Sequence, residues 1–209
     1  MESWTRYHRA LRQRNAALRL TQDDRSLDVW GQELLTAGLQ LDDMRRRYIQ
    51  MLSAPLEAVG RQLLNLEVRI AYSPGWAQDD SFNGALEKSR DRDKRMGITH
   101  VGPHRADISV RVDGQLARER VSRGQQKLLA SALILAQLEI QESYHPGRGA
   151  LLIDDPAAEL DGNRLAGLLQ VVRNLQSQLF VTSLRPELDS LGTPGAVFHV
   201  EHGRVRTVV

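Results

Sequence analysis

Two consecutive carboxylates, Asp154 and Asp155, close the apolar run Ala150-Leu-Leu-Ile and are followed by Pro156-Ala-Ala-Glu-Leu-Asp161. A hydrophobic strand that ends this way places both acids at the carboxyl edge of a parallel sheet, where open α/β folds bind their ligands. In nucleotide-hydrolysing proteins the first acid of such a pair holds Mg²⁺ and the second polarises the attacking water. Thirty residues earlier, Val121-Ser-Arg-Gly-Gln-Gln-Lys127 opens a long helical stretch. Ser122 and Gly124 there present a hydroxyl and backbone N–H groups to an anion, with the positive end of the helix dipole behind them; Ser122 is equally well suited to be an ordinary N-cap. A third cluster, Gly102-Pro-His-Arg-Ala-Asp107, sets His104, Arg105 and Asp107 after a rigid turn. A lone histidine without a second ligand at metal spacing reads first as a packed, hydrogen-bonded residue, and the HExxH, GxSxG and paired CxxC patterns do not occur. His104, Arg105 and Asp107 are therefore expected to be structural or to belong to an interface.

These motifs need elements to carry them. The first 65 residues read as helices, with no proline before Pro55. Trp30, Leu34, Ala37, Leu41, Met44, Tyr48 and Met51 step by fours and threes, an a/d seam that needs a partner helix. The first helix, with Trp4, Tyr7, Leu11 and Leu18 on one side, is expected to supply it in an antiparallel hairpin. From Leu66 to Tyr72 the period changes to two, which predicts a half-buried strand ended by Pro74-Gly75. Residues 79–97 are dominated by charge and predict an exposed helix with little to bury. Ile108, Val110 and Val112 mark a strand closed by Asp113-Gly114. A helix from about Gly124 to Tyr144 then leads to strand 150–154, expected to be covered on both faces. Asp161 can cap the next helix, 178–183 forms a second buried strand, and 196–209 a hairpin turning at His202-Gly203. The pattern is α/β, with a helical part over 1–97 and an α/β part over 98–209.

Charge and composition narrow the class. The chain has 209 residues and a formal net charge of +2, with no cysteine, so disulfide frameworks and thiolate metal sites are excluded, as suits a reducing cytoplasm. The longest apolar stretch, Leu128–Leu138, is broken by Ser131 and Gln137 and is too short to span a membrane. The opening residues lack a secretory h-region. Residues 1–19 hold five arginines against Glu2 alone. Arg6, Arg9, Arg12 and Arg14 are candidate contacts to nucleic-acid phosphates, whose counterions such an arm would release.

Taken together, GPHRADI, SRGQQK and LLIDDPAAELD occur in an order and spacing that resemble the RecF family of recombination mediators, among the ABC/SMC-like ATPases of DNA repair. The resemblance extends to YHRALRQRNAAL at the start and LIDDPAAELDGNRLAGL near the end. It implies an α/β fold: the carboxyl-terminal half of an ABC/SMC-type ATPase head with an antiparallel, coiled-coil-like helical lobe. It further implies that Ser122, Arg123, Gly124 and Gln125 form the signature that caps the γ-phosphate of ATP held by the opposite protomer. Asp154 would be the Walker B ligand of Mg²⁺, and Asp155 the catalytic acid where many relatives have glutamate. Ala158, Glu159, Leu160 and Asp161 would form the D-loop, and Thr182 and Ser183 would stand where many ABC ATPases carry a switch histidine. The implied function is that of an SOS-linked, cytoplasmic DNA repair and replication protein, an ATP-dependent homodimer on single-stranded and gapped DNA, with RecO- and RecR-like partners.

The phosphate-binding string GxxxxGK[ST] does not occur in these 209 residues, whose three lysines, Lys88, Lys94 and Lys127, lack the required glycines. Two expectations follow: the chain alone neither binds ATP tightly nor hydrolyses it, and the length corresponds to a head without its amino-terminal half, leaving apolar strand surface uncovered. A non-enzymatic DNA-binding or partner-docking module is the alternative that the same absence suggests.

Overall fold

The computed structural model describes residues 2–20, 24–160, 162–184 and 193–208. Two units emerge, one of residues 1–54 with 68–119 and one of 55–67 with 120–209. This division differs from the 97/98 boundary expected from the sequence, because the strand at 107–112 pairs with the strand at 68–73 and so carries its segment into the first unit.

In the first unit, α1 (Glu2–Leu20) lies along α2 (Asp24–Leu64). Trp4 meets Arg45 while Arg6 pairs with Glu33, the descending order of an antiparallel hairpin. Tyr7, Ala10 and Leu11 of α1 and Leu34, Ala37 and Leu41 of α2 close over Phe82 and Leu86 of α3 (Phe82–Met96) in one buried cluster. Each such large apolar side chain contributes roughly 1.5–3 kcal/mol on burial. In the first half of the predicted seam Leu34, Ala37 and Leu41 are thus core, while Trp30 is half-buried. The second half of the seam is not core: Met44, Tyr48 and Met51 are exposed, and Ile49, Leu52, Leu56, Val59 and Leu63 are the buried positions further along α2. A straight helix at 3.6 residues per turn drifts about 20° per heptad from a 3.5-residue seam, so the inward stripe moves by one position over this length.

The charged segment departs further from expectation. Ser81 caps α3 by accepting the Gly84 N–H at 3.0 Å, and Gly97 closes it. Far from burying little, α3 sends Phe82, Ala85, Leu86 and Asp93 inward. A three-stranded antiparallel sheet completes the unit: β1 (Val68–Ser73), β2 (Asp107–Val112) and β3 (Gln115–Leu116), with Val68 opposite Val112.

The second unit places α5 (Arg123–Tyr144), which follows the short α4 (Ala117–Arg120), with the parallel strands β4 (Ala150–Ile153) and β5 (Gln178–Val181). Between the strands lie α6 (Pro156–Glu159) and α7 (Gly162–Arg173), whose Leu168, Leu169, Val171 and Val172 are buried. The sheet is not covered on both faces as the apolar run suggested. Leu152 and Phe180 are register partners on one open face, and Leu152 is 75% exposed. The hairpin β6 (Phe198–Glu201) and β7 (Arg204–Thr207) turns at His202-Gly203 and also leaves Phe198, Val200 and Val205 exposed. These faces carry uncovered apolar strand surface among the described residues.

Candidate functional site

Asp154, Asp155 and the segment Ser122–Gln125 fall in the second unit, each at the end of a regular element. Asp154 and Asp155 follow the last residue of β4, and the main chain there is tied to the end of β5: Thr182 N–H donates to Ile153 O at 3.0 Å, and Asp155 N–H to Thr182 O at 3.1 Å. Asp154 is exposed, and its Oδ1 accepts a hydrogen bond from the Thr182 hydroxyl. No described residue bonds its second oxygen. Among the described residues no three His, Cys, Asp or Glu side chains gather as a metal cage. A single open carboxylate is nonetheless the donor set by which Mg²⁺ is commonly held when phosphates and water supply the rest, so the donor chemistry fits the expected ion.

Asp155 caps α6 in the left-handed region, at φ 37° and ψ 58°. Aspartate and asparagine tolerate that region better than longer side chains, because their short polar groups bond locally. The backbone therefore favours aspartate over glutamate at this position. Ala158 and Glu159 lie in α6 and Leu160 follows it as C-cap, while Asp161 lies outside the described residues.

Ser122 caps α5 in a reciprocal capping box: its Oγ accepts the Gln125 N–H at 3.3 Å, and Gln125 Oε1 accepts the Ser122 N–H at 2.9 Å. Such a cap is worth about 1 kcal/mol. Structural cap and anion site are compatible here. The Ser122 hydroxyl proton is not consumed by the bond its oxygen accepts, and the backbone N–H groups of Arg123 and Gly124 have no partner among the described residues. Three donors thus stand at the positive end of a 22-residue helix. One contributor was not anticipated from the sequence. Arg164 of α7 brings Nη1 to 3.6 Å from where a Cβ would stand on Gly124, adding a cation beside the start of α5. An arginine two residues after the helix start at Gly162 carries no spacing signal that points forty residues back.

In the third cluster the histidine is hydrogen-bonded on both ring nitrogens. The Tyr7 hydroxyl donates to His104 Nδ1 at 2.7 Å and His104 Nε2–H donates to Thr99 O at 3.0 Å, which fixes a neutral tautomer. Burial holds the His104 pKa below the ordinary 6.5. Arg105 and Asp107 are exposed. Because the fold disfavours the protonated ring, the unfolded chain binds more protons below pH 6.5, and stability rises with pH through that window. The His104 contribution is complete above 6.5 and is lost as pH falls toward the lower folded value. Urea midpoints measured from pH 7.5 to 5 should fall more steeply for the wild type than for His104→Gln.

The basic arm needs one correction. Arg14 is 3% exposed, with Nη1 on Asp93 Oδ2 at 2.8 Å and on Thr99 Oγ1 at 2.6 Å, so it is not available to a phosphate. Arg6 is exposed but held by Glu33, a pairing that raises the arginine pKa and lowers that of the glutamate. Arg9 and Arg12 are exposed.

No family model matches the chain. Individual proteins do. Over 98% of its length the chain is 39% identical to the DNA replication and repair protein RecF of Pseudomonas fluorescens strain Pf-5, and over 97% it is 39% identical to RecF of Pseudomonas paraeruginosa strain PA7. By sequence, the chain is a relative of the RecF proteins. It spans 58% and 56% of the length of those two RecF proteins, a partial match of the kind the carboxyl-terminal reading expects. The fold of this RecF-like chain agrees. A structure described as the recombination mediator protein RecF with ATP superposes with a TM-score of 0.79 at 24% identity, over 99% of this chain and 58% of that one. An SMC head bound to the C-winged helix domain of ScpA superposes at 0.51 and 15% identity, over 93% of this chain and 52% of that one. The architecture is that of part of an ABC/SMC-type ATPase head. No helix among the described residues is long and apolar enough to cross a membrane.

Proposed function

We propose that this chain supplies the signature segment, the Walker B carboxylates and the D-loop of a RecF-type ATP-dependent DNA-binding dimer. That dimer acts in cytoplasmic recombinational repair at single-strand gaps and junctions as part of the SOS response, with RecO- and RecR-like proteins as loading partners. The observation that carries the reading is the pairing of Asp154 and Asp155 at the carboxyl edge of β4 and β5, in a chain that matches RecF proteins over 98% of its length. ATP with Mg²⁺, when bound, supplies the phosphoanhydride whose hydrolysis ends the closed state. Asp154 offers an open carboxylate oxygen for the ion, and Asp155 is the acid that orients and polarises the attacking water. Ser122 Oγ–H and the Arg123 and Gly124 N–H groups donate to phosphate oxygens presented by the opposite protomer. Thirty residues of chain separate these donors from the acids, and the energy of closure comes from phosphate contacts that both protomers share. Lacking GxxxxGK[ST], the 209 residues alone are expected to show no ATP turnover.

The test mixes the full 209-residue chain with a RecF fragment that bears the P-loop and measures association with and without ATP. ATP-dependent association that is lost in Asp154→Asn supports the proposal, and association indifferent to both would overturn it. DNA contact is tested on the same mixture with gapped duplex in a salt series. Arg9→Glu with Arg12→Glu should weaken binding by at least tenfold and reduce the salt slope by about 0.9 per phosphate contact removed. An unchanged affinity and slope removes the arm from the interface.

A further inference from the structure

We propose that Thr182 is a positioning residue for the Asp154 carboxylate, and that it does not act as a γ-phosphate sensor despite standing at the switch position. The inference rests on Asp154 being the Mg²⁺ ligand of the proposed function.

The argument starts from the parallel register. Ile153 stands opposite Val181, and the ladder runs one step beyond both strands, with Thr182 N–H on Ile153 O and Asp155 N–H on Thr182 O. That step brings the Thr182 side chain against the Asp154-Asp155 peptide. Asp155 N–H also donates to Thr182 Oγ1 at 3.0 Å, so the hydroxyl oxygen is an acceptor on one side. Its single proton is donated to Asp154 Oδ1. A hydroxyl has one proton to give, and this one is committed to a carboxylate, leaving none for a phosphate oxygen. The accepted N–H fixes where that proton points. The β-branched side chain narrows χ1 further.

The consequence falls on Asp154. An exposed aspartate ordinarily samples several χ1 rotamers, whereas a carboxylate with one oxygen held by a rigid hydroxyl turns the other in one direction. That direction matters for a hard cation that demands near-ideal octahedral geometry and takes only one or two protein carboxylates. Groups that orient a ligating carboxylate typically change metal affinity by 10–100-fold when removed. Serine at this position would keep the hydrogen bond, valine would keep the shape and lose it, and both would leave the two backbone bonds intact.

The decisive readout is the χ1 distribution of Asp154 in the full 209-residue chain without metal or nucleotide, from three-bond couplings to its β-protons. Wild type and Thr182→Ser should show one large and one small coupling, a single rotamer. Thr182→Val, with Thr182→Ala as a second variant should valine disturb packing, should show two nearly equal couplings. Averaged couplings in the wild type, or a single rotamer kept in both hydroxyl-free variants, would overturn the proposal. A second arm uses the mixture with the P-loop fragment. There Thr182→Val should raise the Mg²⁺ concentration needed for ATP-linked association about tenfold, and Thr182→Ser should restore it. An unchanged Mg²⁺ requirement in Thr182→Val also counts against positioning. If the rotamer result holds while Asp154→Asn leaves ATP-linked association intact, the proposed function fails and the positioning role of Thr182 stands.

Discussion

Asp93→Ala is expected to destabilise the first unit by about 3–5 kcal/mol, the cost of leaving a buried charge without its partner. Asp93 has no exposed surface, and its carboxylate is fully used. Oδ2 accepts from Arg14 Nη1 at 2.8 Å and from the Ser89 hydroxyl at 3.2 Å. Oδ1 accepts from the His100 backbone N–H at 3.0 Å and lies 2.8 Å from His100 Nδ1. Arg14 bonds Thr99 as well, whose hydroxyl donates to Asn15 Oδ1 at 2.7 Å. The network ties α1 to α3 and to the segment that follows Gly97. Alanine removes both carboxylate oxygens at once and leaves the buried guanidinium with the neutral Thr99 hydroxyl in place of its counter-charge. Arg14→Met combined with Asp93→Leu removes both charges, so it should cost less than Asp93→Ala alone, a strongly non-additive cycle. Urea unfolding of the wild type, Asp93→Ala, Arg14→Met, Asp93→Leu and the double variant reads both effects. A single variant within 1 kcal/mol of wild type would show that the pair contributes specificity of packing and little stability.

That ion pair also marks where the sequence was readable and where it was not. Counted by charge, Arg14 is one of five arginines in residues 1–19 and looks like the rest of the arm. Yet it falls between Leu11 and Leu18 at steps of three and four, on the stripe of α1 that Tyr7 begins. A cation on a seam calls for a buried anion, and that spacing was the available signal. Its partner was out of reach, because Asp93 sits 79 residues away in a segment whose composition suggests solvent. Periodicity reports which face turns inward and carries no information about which distant charge meets it. The drift of the α2 stripe after Leu41 was lost for a related reason: each residue obeys the heptad locally, and only the accumulated rotation against the rest of the fold decides that Ile49 is buried and Met51 is not.

The candidate site was more legible, since its chemistry is local. Acids after an apolar strand, and Ser-x-Gly before a helix, each follow from one element ending, and Ser122, Asp154 and Asp155 stand where those patterns put them. What required the structure were the cross-chain contributions: Arg164 beside Gly124 and the Thr182 hydroxyl on Asp154. The left-handed backbone of Asp155 belongs in the same class: a following proline favours extended dihedrals, so the conformation is held by the Asp155 N–H bonds to Thr182, which Asp-Pro alone does not announce.

Gly75→Ala is the second large expectation, about 3 kcal/mol or more, and it separates two costs that glycine avoids. Pro74-Gly75 ends β1 where the chain passes against Gly102, whose N–H donates to Gly75 O at 3.2 Å. Gly75 has φ +93°, and a Cβ there would stand 2.2 Å from Gly102 O and 2.9 Å from Ala106 N. All are backbone atoms of the Gly102–Ala106 loop, so no side chain can swing aside. Backbone strain at positive φ contributes roughly 1–2 kcal/mol, and forcing the loop away adds an overpacking cost of about 1–3 kcal/mol. Displacement would be transmitted to the core, because Gly102 itself lies where a Cβ would meet Tyr7 Oη at 2.7 Å. Gly114 provides the internal reference. It has φ +78° with open space around its would-be Cβ, so Gly114→Ala carries the strain without the clash and should cost only about 1–2 kcal/mol. The difference between the two variants in urea unfolding isolates the crossing of the two glycines. Equal costs would mean that the Gly102 loop yields freely, and the glycine of GPHRAD would then have to be explained by turn geometry alone.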